Sequence, residues 1–477
     1  MTQVATAYSS YKHSSAAWLG DVPTHWQILP QRALFEEIKE RNRPDEQMLS
    51  VTITQGVIKQ RELLEGTSKK DGSKLDRSAY KLVCPGDIAY NKMRAWQGAV
   101  GASELRGIVS PAYVVVRLRD TNLPRYFHYL FRTPAFAKEA ERWSYGITSD
   151  MWSLRPEHFK LIQICVPPKE EQEAIVRFLD HADRCIRRYI AVKRKLISLL
   201  NAQKLLVIHD AISRGLDPAG VLRPSGVEWW GSIPEHWEMH RLQELTDRQR
   251  PIMYGIVLPG PNVDSGVYIV KGGNCEPGKL RPEFLSRTTV AIESAYARSR
   301  LRKSDLVIAI RGGVGAVELV PEELTGANLT QDAARIAPRP GVHPGWLLYA
   351  VRSPVFQQHL AARILGATIS GINIRDLKRI ALPVPTLEEQ SAIASHLDGA
   401  LAGLNGAITR ATREGELLSQ YRTRLIVDVV TGKLDVRDAA GRFPQEQAGV
   451  SAESGEFTEA ETELVDDPEA EVEEAEA

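Results

Sequence analysis

Apolar residues recur at alternating spacings of four and three along two stretches of the chain. The first stretch holds Ile175, Leu179, Ala182, Ile186, Tyr189, Leu196, Leu200 and Val207, and the second holds Ile393, Leu397, Ala400, Leu404, Ala407, Ala411, Leu418, Tyr421 and Leu425. Because the pattern lasts about four heptads, it predicts a coiled-coil seam on each of two long helices. With about 45 residues rising 1.5 Å each, a helix would be nearly 70 Å long. The most economical arrangement is an antiparallel pair; the alternative is two unrelated surface helices.

Both predicted helices carry signals for their ends. Thr386, followed three residues later by Glu389, forms a capping box at the start of the second helix. Gly215 and Gly432 stand where a C-cap glycine belongs. Three polar residues interrupt the seams and can fix their register: Lys193, Gln203 and Glu414.

The helices are part of a longer internal repeat. Residues 18–26 (WLGDVPTHW) return as residues 229–237 (WWGSIPEHW), with five of nine positions identical. Residues 167–180 (PPKEEQEAIVRFLD) return as residues 385–398 (PTLEEQSAIASHLD), with eight of fourteen identical. A period this long predicts a duplicated half, in which each copy is a globular segment followed by a helix.

The globular segments alternate short β-rich runs with turns rich in glycine and proline. Strands are predicted at residues 88–90, 113–116, 268–270 and 306–310, and short helices at residues 125–131 and 346–351. We therefore predict an α/β (α+β) fold with two globular domains, two long antiparallel coiled-coil helices and a pseudo-two-fold internal repeat. The predicted segments are a globular domain (1–167), a helix (168–216), a second globular domain (217–385), a second helix (386–436) and an acidic disordered tail (437–477).

Charge is distributed unevenly along a chain that is formally neutral, with 60 basic and 60 acidic residues. From Glu446 to the C-terminus there are 13 acidic residues and no Lys or Arg. Residues 1–445 therefore hold 60 basic against 47 acidic residues. A basic body with an acidic tail indicates a protein whose body binds a polyanion.

Secreted and membrane classes are disfavoured. The first 17 residues are polar, unlike a signal peptide, and no apolar run approaches the roughly 18 residues of a membrane span. The four cysteines (Cys84, Cys165, Cys185 and Cys275) lie far apart without a C-x-x-C pair, which argues against a disulfide framework or a zinc site. We expect a soluble cytoplasmic protein with reduced thiols.

Catalytic motifs are incomplete or absent. No Asn-Pro-Pro-Tyr or Asp-Pro-Pro-Tyr run marks a methyltransferase site, and residues 431–433 (TGK) lack the rest of a P-loop. Residues 311–315 (RGGVG) are too short for a dinucleotide fingerprint and predict a tight turn or a phosphate-approaching loop instead. The repeated Glu pairs at 170–171 and 388–389 complement the helix dipole, and His25 and His236 are interpreted as packed structural residues. The prediction is a chain without catalytic or metal-binding residues.

Signals for nucleic-acid binding are stronger and occur in both halves. Basic side chains displace counterions from phosphates, whereas Arg, Asn and Gln can read base edges. The turn-located candidates are Lys69, Lys70, Lys74, Arg77, Asn91, Lys92, Arg94, Gln97, Tyr145, Tyr254, Lys271, Asn274, Arg300, Arg311, Asn328 and Gln331. Any one of them is more often an ordinary solvated residue, but their occurrence in both halves favours a DNA-binding function.

The repeated motifs together resemble the specificity subunit of Type I restriction–modification enzymes. They are W-x-G-x-[VI]-P-x-H-W, then P-x-x-E-E-Q-x-A-I at the start of each helix, and the Gly-Leu-Asp and Gly-Lys-Leu-Asp runs at residues 215–217 and 432–435. The resemblance extends to about residue 438 and implies that the two globular domains are target-recognition domains. The acidic tail has no counterpart in it.

The resemblance implies a non-catalytic subunit that reads a bipartite, asymmetric target in double-stranded DNA. Two methyltransferase subunits would dock on its helices and methylate adenine with S-adenosylmethionine. A restriction/translocase subunit, using ATP and magnesium, would join through them, so this chain itself would hold no cofactor. The alternatives are the target-reading subunit of a methylation-only complex, a self-contained DNA-modifying enzyme and a purely structural coiled-coil adaptor.

Overall fold

The computed structural model describes residues 6–64, 77–146, 152–364 and 371–443. The chain divides into two compact units: unit 1 comprises Met1–Arg194 and Arg413–Ala477, and unit 2 comprises Lys195–Thr412. Both boundaries fall inside long helices, so each unit contains part of both helices. The five segment boundaries predicted above stay a prediction, as does the nature of residues 444–477, which lie outside the described residues.

The globular part of unit 1 is built mainly from antiparallel strand pairs. Its strands are β1 Tyr11–His13, β2 Asp21–Pro23, β3 Gln27–Pro30, β4 Phe35–Ile38, β5 Leu49–Thr52, β6 Gly56–Lys59, β7 Lys81–Val83, β8 Ile88–Asn91, β9 Val100–Ala102, β10 Gly107–Val109, β11 Tyr113–Leu118 and β12 Gln163–Val166. Its short helices are α1 Gln31–Leu34, α2 Gln60–Leu64, α3 Pro124–Phe131, α4 Pro134–Arg142 and α5 Pro156–Phe159. The largest sheet is antiparallel, in the order β4-β11-β8-β9. Its apolar face packs on an aromatic cluster from α3 and α4 that includes Phe127, Phe131 and Phe136.

The first long helix, α6 Lys169–Arg214, follows β12 and leads into unit 2. The strands of unit 2 are β13 Leu222–Pro224, β14 Ser232–Pro234, β15 Glu238–Arg241, β16 Met253–Tyr254, β17 Val267–Val270, β18 Ser286–Thr288, β19 Leu306–Ala309, β20 Val317–Leu319, β21 Asn328–Leu329, β22 Ala333–Ile336 and β23 Ala381–Val384. Its short helices are α7 Val290–Ser294, α8 Pro344–Arg352, α9 Pro354–Ala361 and α10 Ile374–Arg379. They are followed by the second long helix, α11 Leu387–Val430, and by α12 Arg437–Ala440, which belongs to unit 1.

The duplication predicted from the sequence is visible in the topology. The main sheet of unit 2 has the order β16-β22-β19-β20, which matches β4-β11-β8-β9 strand for strand. In each unit the strand that follows the W-x-G-x-[VI]-P-x-H-W motif pairs with the strand that leads into a long helix, as β3 with β12 and β15 with β23. All four predicted strands and both predicted short helices are present, with ends that differ by one or two residues.

The two long helices pack together antiparallel within each unit. In unit 1, Asp183 on α6 binds Arg422 on α11, and Lys193 Nζ lies 2.5 Å from Glu414 Oε2. As residue numbers increase along α6, the numbers of the contacting residues on α11 decrease. In unit 2, Ile208 and Ile212 of α6 share a core with Ile393, Leu397 and Leu401 of α11. Two of the predicted seam interruptions, Lys193 and Glu414, are thus partners, as expected for residues that fix register.

The predicted helix ends are confirmed. Glu389 accepts a hydrogen bond from the Thr386 backbone N–H at 3.0 Å, and the Thr386 hydroxyl accepts one from the Glu389 N–H at 3.3 Å. Gly215 and Gly432 have φ of +75° and +76°, the left-handed conformation that glycine adopts readily at a helix C-terminus. The helices are 46 and 44 residues long, close to the expected 45.

Three residues assigned to the seams are exposed instead: Tyr189, Leu196 and Tyr421. An α-helix with 3.6 residues per turn drifts relative to a strict heptad repeat, so apolar residues at nearly correct spacing can lie on the outer face. For these three positions the seam assignment was wrong.

Candidate nucleic-acid interface

The start of each long helix is fastened to its globular segment by the repeated His-Trp pair. In unit 1, His25 Nε2 and the Trp26 indole N–H lie 2.8 and 2.9 Å from the two carboxylate oxygens of Glu171. In unit 2, His236 Nε2 and the Trp237 indole N–H lie 2.9 and 3.4 Å from Glu389 Oε1. Both histidines therefore contact carboxylates that anchor a helix, but their side chains are 43% and 59% exposed, so the expectation that they are packed was wrong.

Electrostatics at the second of these contacts favours an ionised carboxylate. Burial raises the pKa of Glu389, but hydrogen bonds from His236, Thr386 and Trp237 outweigh it and leave that pKa below the usual value for Glu. The negative charge also lies at the N-terminus of α11, where the helix dipole stabilises it. The repeated motifs thus serve to orient each globular segment on its helix.

A turn at the end of one central strand carries the candidate residues in unit 1. We call residues 91–97, which follow β8 and lead toward β9, the first strand-end turn. The Asn91 side chain accepts a hydrogen bond from the Met93 N–H at 3.0 Å, and residues 95–97 form one short 3-10 turn. The Leu154 N–H donates to the Lys92 carbonyl at 2.9 Å, which fixes the turn to the segment before α5. Asn91, Lys92, Arg94 and Gln97 are therefore held on one small, half-buried turn.

Aromatic side chains flank this first strand-end turn. Trp96 packs edge-on against Trp152 with ring centres 5.6 Å apart. Tyr145 forms a β-bridge with Ser153, and its exposed ring lies 4.9 Å from the His158 ring. Because Ser153 directly precedes Leu154, Tyr145 is brought next to the turn residues. Basic groups interleaved with exposed aromatic rings can contact both phosphates and unstacked bases.

The second strand-end turn, residues 310–315, occupies the same position in unit 2. It follows β19, the strand equivalent to β8, and leads to β20. The Ile372 N–H donates to the Ile310 carbonyl at 3.0 Å, and these two residues lie 218 positions after Leu154 and Lys92. The same hydrogen bond therefore fastens the same turn in both units. Arg311 is exposed on it, and Gly312 next to it has a φ of +72° that glycine accommodates without strain.

Further candidates of unit 2 converge around Arg311. The chain passes so close at Gly272 that an added Cβ would lie 2.9 Å from the Arg311 carbonyl oxygen, which places Lys271 beside the turn. The Gln331 N–H donates to the Ile256 carbonyl at 3.0 Å, which brings the loops after β16 and before β22 together. Tyr254 at the end of β16 is exposed and lines a groove together with Arg375 and Arg379 of α10.

The side chains of two other predicted site residues form hydrogen bonds within the protein. Asn328 is completely buried, and its amide N–H groups donate to Glu293 and to the Tyr296 carbonyl while its oxygen accepts from Ser299. Asn274 uses its amide on the Lys271 N–H and the Phe284 carbonyl. The expectation that Asn328 is an accessible turn residue was therefore wrong, because Asn328 lies in strand β21 and its side chain is buried.

Arg300 precedes β19, whereas Arg311 follows it, so the two arginines lie at opposite ends of this strand. It forms a two-pronged ion pair with Glu293 at 2.7 and 2.6 Å. The hydrogen bond from Arg300 is the main cause of a lowered pKa of Glu293, which stays ionised. Arg77 precedes β7 and is half-buried. Lys69, Lys70 and Lys74 lie outside the described residues.

The sequence analysis had not singled out the basic residues Lys39, Arg41, Arg375 and Arg379. Burial lowers the pKa of Lys81, and the positive charges of Lys92, Arg41 and Lys39 lower it further. Lys39 and Arg41 follow β4, the strand two places away from β8, so only the fold could associate them with the first strand-end turn. Arg375 and Arg379 in unit 2 were missed for the same reason. Lys92, Arg311 and Arg375 form no salt bridge with another described residue, which leaves their charges available.

Two of the four cysteine thiols are deeply buried. Burial raises the pKa of both the Cys165 and the Cys275 thiols to about 12, so neither is a ready nucleophile. The described residues bring together no group of three or more His, Cys, Asp or Glu side chains able to hold a metal ion. Nor does any described helix combine the length and apolar character needed to cross a bilayer.

Comparisons with known proteins agree on one family. The model of the Type I restriction modification DNA specificity domain matches residues 78–194 and 269–410. The chain is 28% identical over 219 residues to the Type I restriction enzyme EcoBI specificity subunit of Escherichia coli, covering 42% of this chain and 46% of that protein. It is 26% identical over 285 residues to the MjaVIII specificity subunit of Methanocaldococcus jannaschii, covering 59% of this chain and 64% of that protein.

A solved structure supports the fold. A chain from a study of complex assembly and conformational transition in a type I R-M system superposes with a TM-score of 0.64 at 17% identity, covering 86% of this chain and 98% of that chain. The matches to the curated relatives span about half to two thirds of their length. The family model covers 259 of the 477 residues, namely the later part of each globular segment and more than half of each long helix. The chain therefore belongs to the Type I restriction-modification DNA specificity family.

Proposed function

We propose that this chain is the DNA-reading subunit of a Type I restriction–modification complex and carries out no chemical step itself. Each unit would read one half of a bipartite, asymmetric target in double-stranded DNA. The observation that carries this proposal is the strand-end turn, held by the same backbone hydrogen bond in both units and bearing different side chains in each. A shared scaffold with divergent turns is what two different half-sites require.

The chemistry of the turns suits DNA. A guanidinium such as that of Arg311 can make two hydrogen bonds to the O6 and N7 atoms of guanine. Lys92 and Arg375 carry charges suited to phosphate contacts, which position the protein without reading sequence. The remaining candidates named above around these turns, including Asn91, Gln97, Lys271 and Gln331, are proposed as secondary contacts.

Partner docking is proposed on the outer faces of the long helices. On α6, exposed apolar residues are Tyr189 and Val192 in unit 1, three positions apart, and Leu196, Leu199 and Leu206 in unit 2, at spacings of three and seven. On α11, Leu417 and Tyr421 are also exposed. A second apolar seam on a helix that already has a partner is typical of a surface that receives another helix.

Two methyltransferase subunits are the proposed occupants, and the pseudo-two-fold repeat offers each an equivalent place. They would supply S-adenosylmethionine and transfer its methyl group to adenine. A restriction/translocase subunit with ATP and magnesium would join through them. Such a complex acts on the cell's own DNA, so we place it in the cytoplasm.

Arg311→Ala should relax discrimination at one base position in one half-site. Loss of a bidentate contact typically costs about 1–3 kcal/mol of discrimination, so the preferred base should lose about tenfold to a hundredfold of its advantage. Competition binding of the assembled complex to duplexes substituted at each position measures this. Arg248→Ala, an exposed arginine near the opposite end of the same sheet, serves as the control and should leave the preference unchanged. An equal loss on cognate and scrambled duplexes for Arg311→Ala would remove it as a base reader.

A further inference from the structure

One lysine in the globular part of unit 1 is buried without a carboxylate partner. Lys81, the first residue of β7, is 8% exposed, and its Nζ atom donates a hydrogen bond to the Tyr113 carbonyl at 2.5 Å. It forms no salt bridge with any other residue that the structure describes. Burial lowers the pKa of its ammonium group, because a charge that leaves water is costly unless an opposite charge binds it. Packing alone therefore does not account for a lysine at this position.

The internal repeat shows that the shared scaffold does not require this lysine. The offset of 218 residues that relates β8 to β19 places Ser299 at the corresponding position of unit 2. Ser299 is 1% exposed, and its hydroxyl donates a hydrogen bond to Asn328 Oδ1 at 2.7 Å. A small neutral side chain is thus accommodated there, so the buried charge is a property of unit 1 alone.

The segment after β4 brings Lys39 and Arg41 close to Lys81. The Leu82 N–H donates to the Glu40 carbonyl at 2.8 Å, so the residues on either side of Glu40 flank the start of β7. Both of these cations are exposed. Their charges add to the effect of burial and lower the pKa of Lys81 further, as like charges do at close range.

Lys92 joins this group from the first strand-end turn. Tyr113, whose carbonyl binds Lys81, pairs with Asn91, the residue before Lys92. Lys92 is half-buried, and its charge lowers the pKa of Lys81 more than the charge of either exposed cation does. We call Lys39, Arg41, Lys81 and Lys92 the four-cation cluster.

Glu37 on β4 is the carboxylate that opposes the cluster, and two lysines already bind it. Its carboxylate oxygens lie 3.5 Å from Lys39 Nζ and 3.2 Å from Lys160 Nζ. The Glu40 side chain is likewise paired, with Arg43 at 3.1 Å. The positive charge of the cluster therefore exceeds the negative charge around it, which favours an anion as the missing partner.

We infer that the four-cation cluster binds a phosphate group, which Arg41 and Lys92 contact directly while Lys81 supports it with its buried charge. The bound group would supply the negative charge that Lys81 lacks. In the assembled complex it would be one backbone phosphate of the DNA half-site read by unit 1, and this part rests on the proposed function. Inorganic phosphate has the same oxyanion chemistry, so the site can also be tested in the free chain.

The double variant Arg41→Ala/Lys92→Ala should flatten the salt dependence of DNA binding by the assembled complex. Loss of one phosphate contact lowers the slope of log K against log salt by about 0.9 and weakens binding about fivefold at 0.15 M salt. The loss should be equal on cognate and scrambled duplexes. Arg32→Ala/Arg119→Ala removes two exposed arginines at the other end of β4 and β11 and should leave the slope unchanged. An unchanged slope in the first variant would overturn the DNA contact.

Methylphosphonate substitution, which removes the charge of one phosphate at a time, locates the contact. One substitution should cost the wild-type complex about fivefold and the Arg41→Ala/Lys92→Ala complex nothing, because that contact is already lost. It should lie in the half-site that Arg311→Ala leaves unchanged. Equal costs in both complexes at every phosphate would contradict the proposed contact.

Lys81→Met distinguishes binding from packing. An apolar side chain of similar length in place of an uncompensated buried charge is often neutral or stabilising, so the urea midpoint of unit 1 should not fall. DNA affinity should nevertheless decrease several-fold. A lower midpoint with unchanged affinity would assign Lys81 a structural role only.

Acetylation by an uncharged N-hydroxysuccinimide ester, followed by mass spectrometry, reports on the site in the free full chain. Inorganic phosphate should slow acetylation of Lys92 several-fold relative to chloride at equal ionic strength, while the exposed Lys138 on α4 should react equally in both. Protection by a DNA duplex in the complex, without protection by inorganic phosphate, would identify the backbone phosphate as the specific ligand. Protection by neither would overturn the site. If the wild-type complex binds no DNA, the proposed function fails, whereas protection by inorganic phosphate still decides the anion site.

Discussion

Glu171→Ala is expected to destabilise unit 1 by about 3 kcal/mol, the larger part of which comes from buried donors left without a partner. The Glu171 carboxylate accepts hydrogen bonds from the Tyr8 hydroxyl and the Trp26 indole N–H and contacts His25. Its side chain is 4% exposed, and Tyr8 and Trp26 are buried with it. Water cannot replace the carboxylate there without repacking of the aromatic residues.

Glu389→Ala is the matched control because it removes the equivalent residue of unit 2. The Glu389 side chain is 37% exposed, and its indole contact is longer, so water can satisfy the remaining groups. We expect a loss of about 1 kcal/mol. Urea unfolding with hydrogen exchange of peptides from each unit distinguishes the two. Equal losses in both units would show that burial of Glu171 does not set the strength of this anchor.

Removal of one facing heptad from both long helices should shorten the spacer of the DNA target by about three base pairs. Residues 194–200 of α6 and 407–413 of α11 lie directly beyond the Lys193–Glu414 pair, so deleting both preserves the antiparallel register. Seven residues rising 1.5 Å correspond to about 10 Å of helix, and base pairs are spaced by 3.4 Å. If the helices set the separation of the two reading surfaces, both half-sites should stay the same and only the spacer should change.

Mapping of methylated adenines in cells that carry the double deletion measures the spacer directly. Deleting residues 194–200 alone is the informative comparison, because it shifts one helix relative to the other and mispairs every contact beyond Lys193. That variant should assemble poorly, whereas the double deletion should assemble like the wild type. An unchanged spacer in a functional double deletion would mean that the helices do not act as a ruler.

Much of the fold could be predicted from local patterns in the sequence. The duplication, the four predicted strands and the helix ends all follow from local sequence patterns, such as the capping box of Thr386 and Glu389, whereas the order of the strands in each sheet was not predicted. The seam was harder to assign, because Tyr189, Leu196 and Tyr421 have the correct spacing but lie on the outer face. Spacing shows that a helix has an apolar stripe, but only the fold shows which side of that stripe is already covered.

For the candidate site, local sequence likewise predicted some features, whereas others depended on contacts between distant residues. The position of Arg311 and Lys92 on turns could be predicted because each lies just after a recognisable strand, while their role in binding stays a prediction. The internal contacts of Asn328 and Arg300 could not be predicted, because their partner Glu293 is 35 and 7 residues away in the chain and only folding brings them together. Lys39 and Arg41 were missed for the opposite reason, since nothing near them in sequence marks a site.

Genome-wide adenine methylation tests the central proposal most directly. Cells that express the methyltransferase partner would be compared with and without this chain, and with Arg311→Ala. The account predicts a split motif that is methylated only when the chain is present and that becomes degenerate at one position of one half in the variant. Methylation of the same motif in the absence of the chain would contradict a DNA-reading role for this protein.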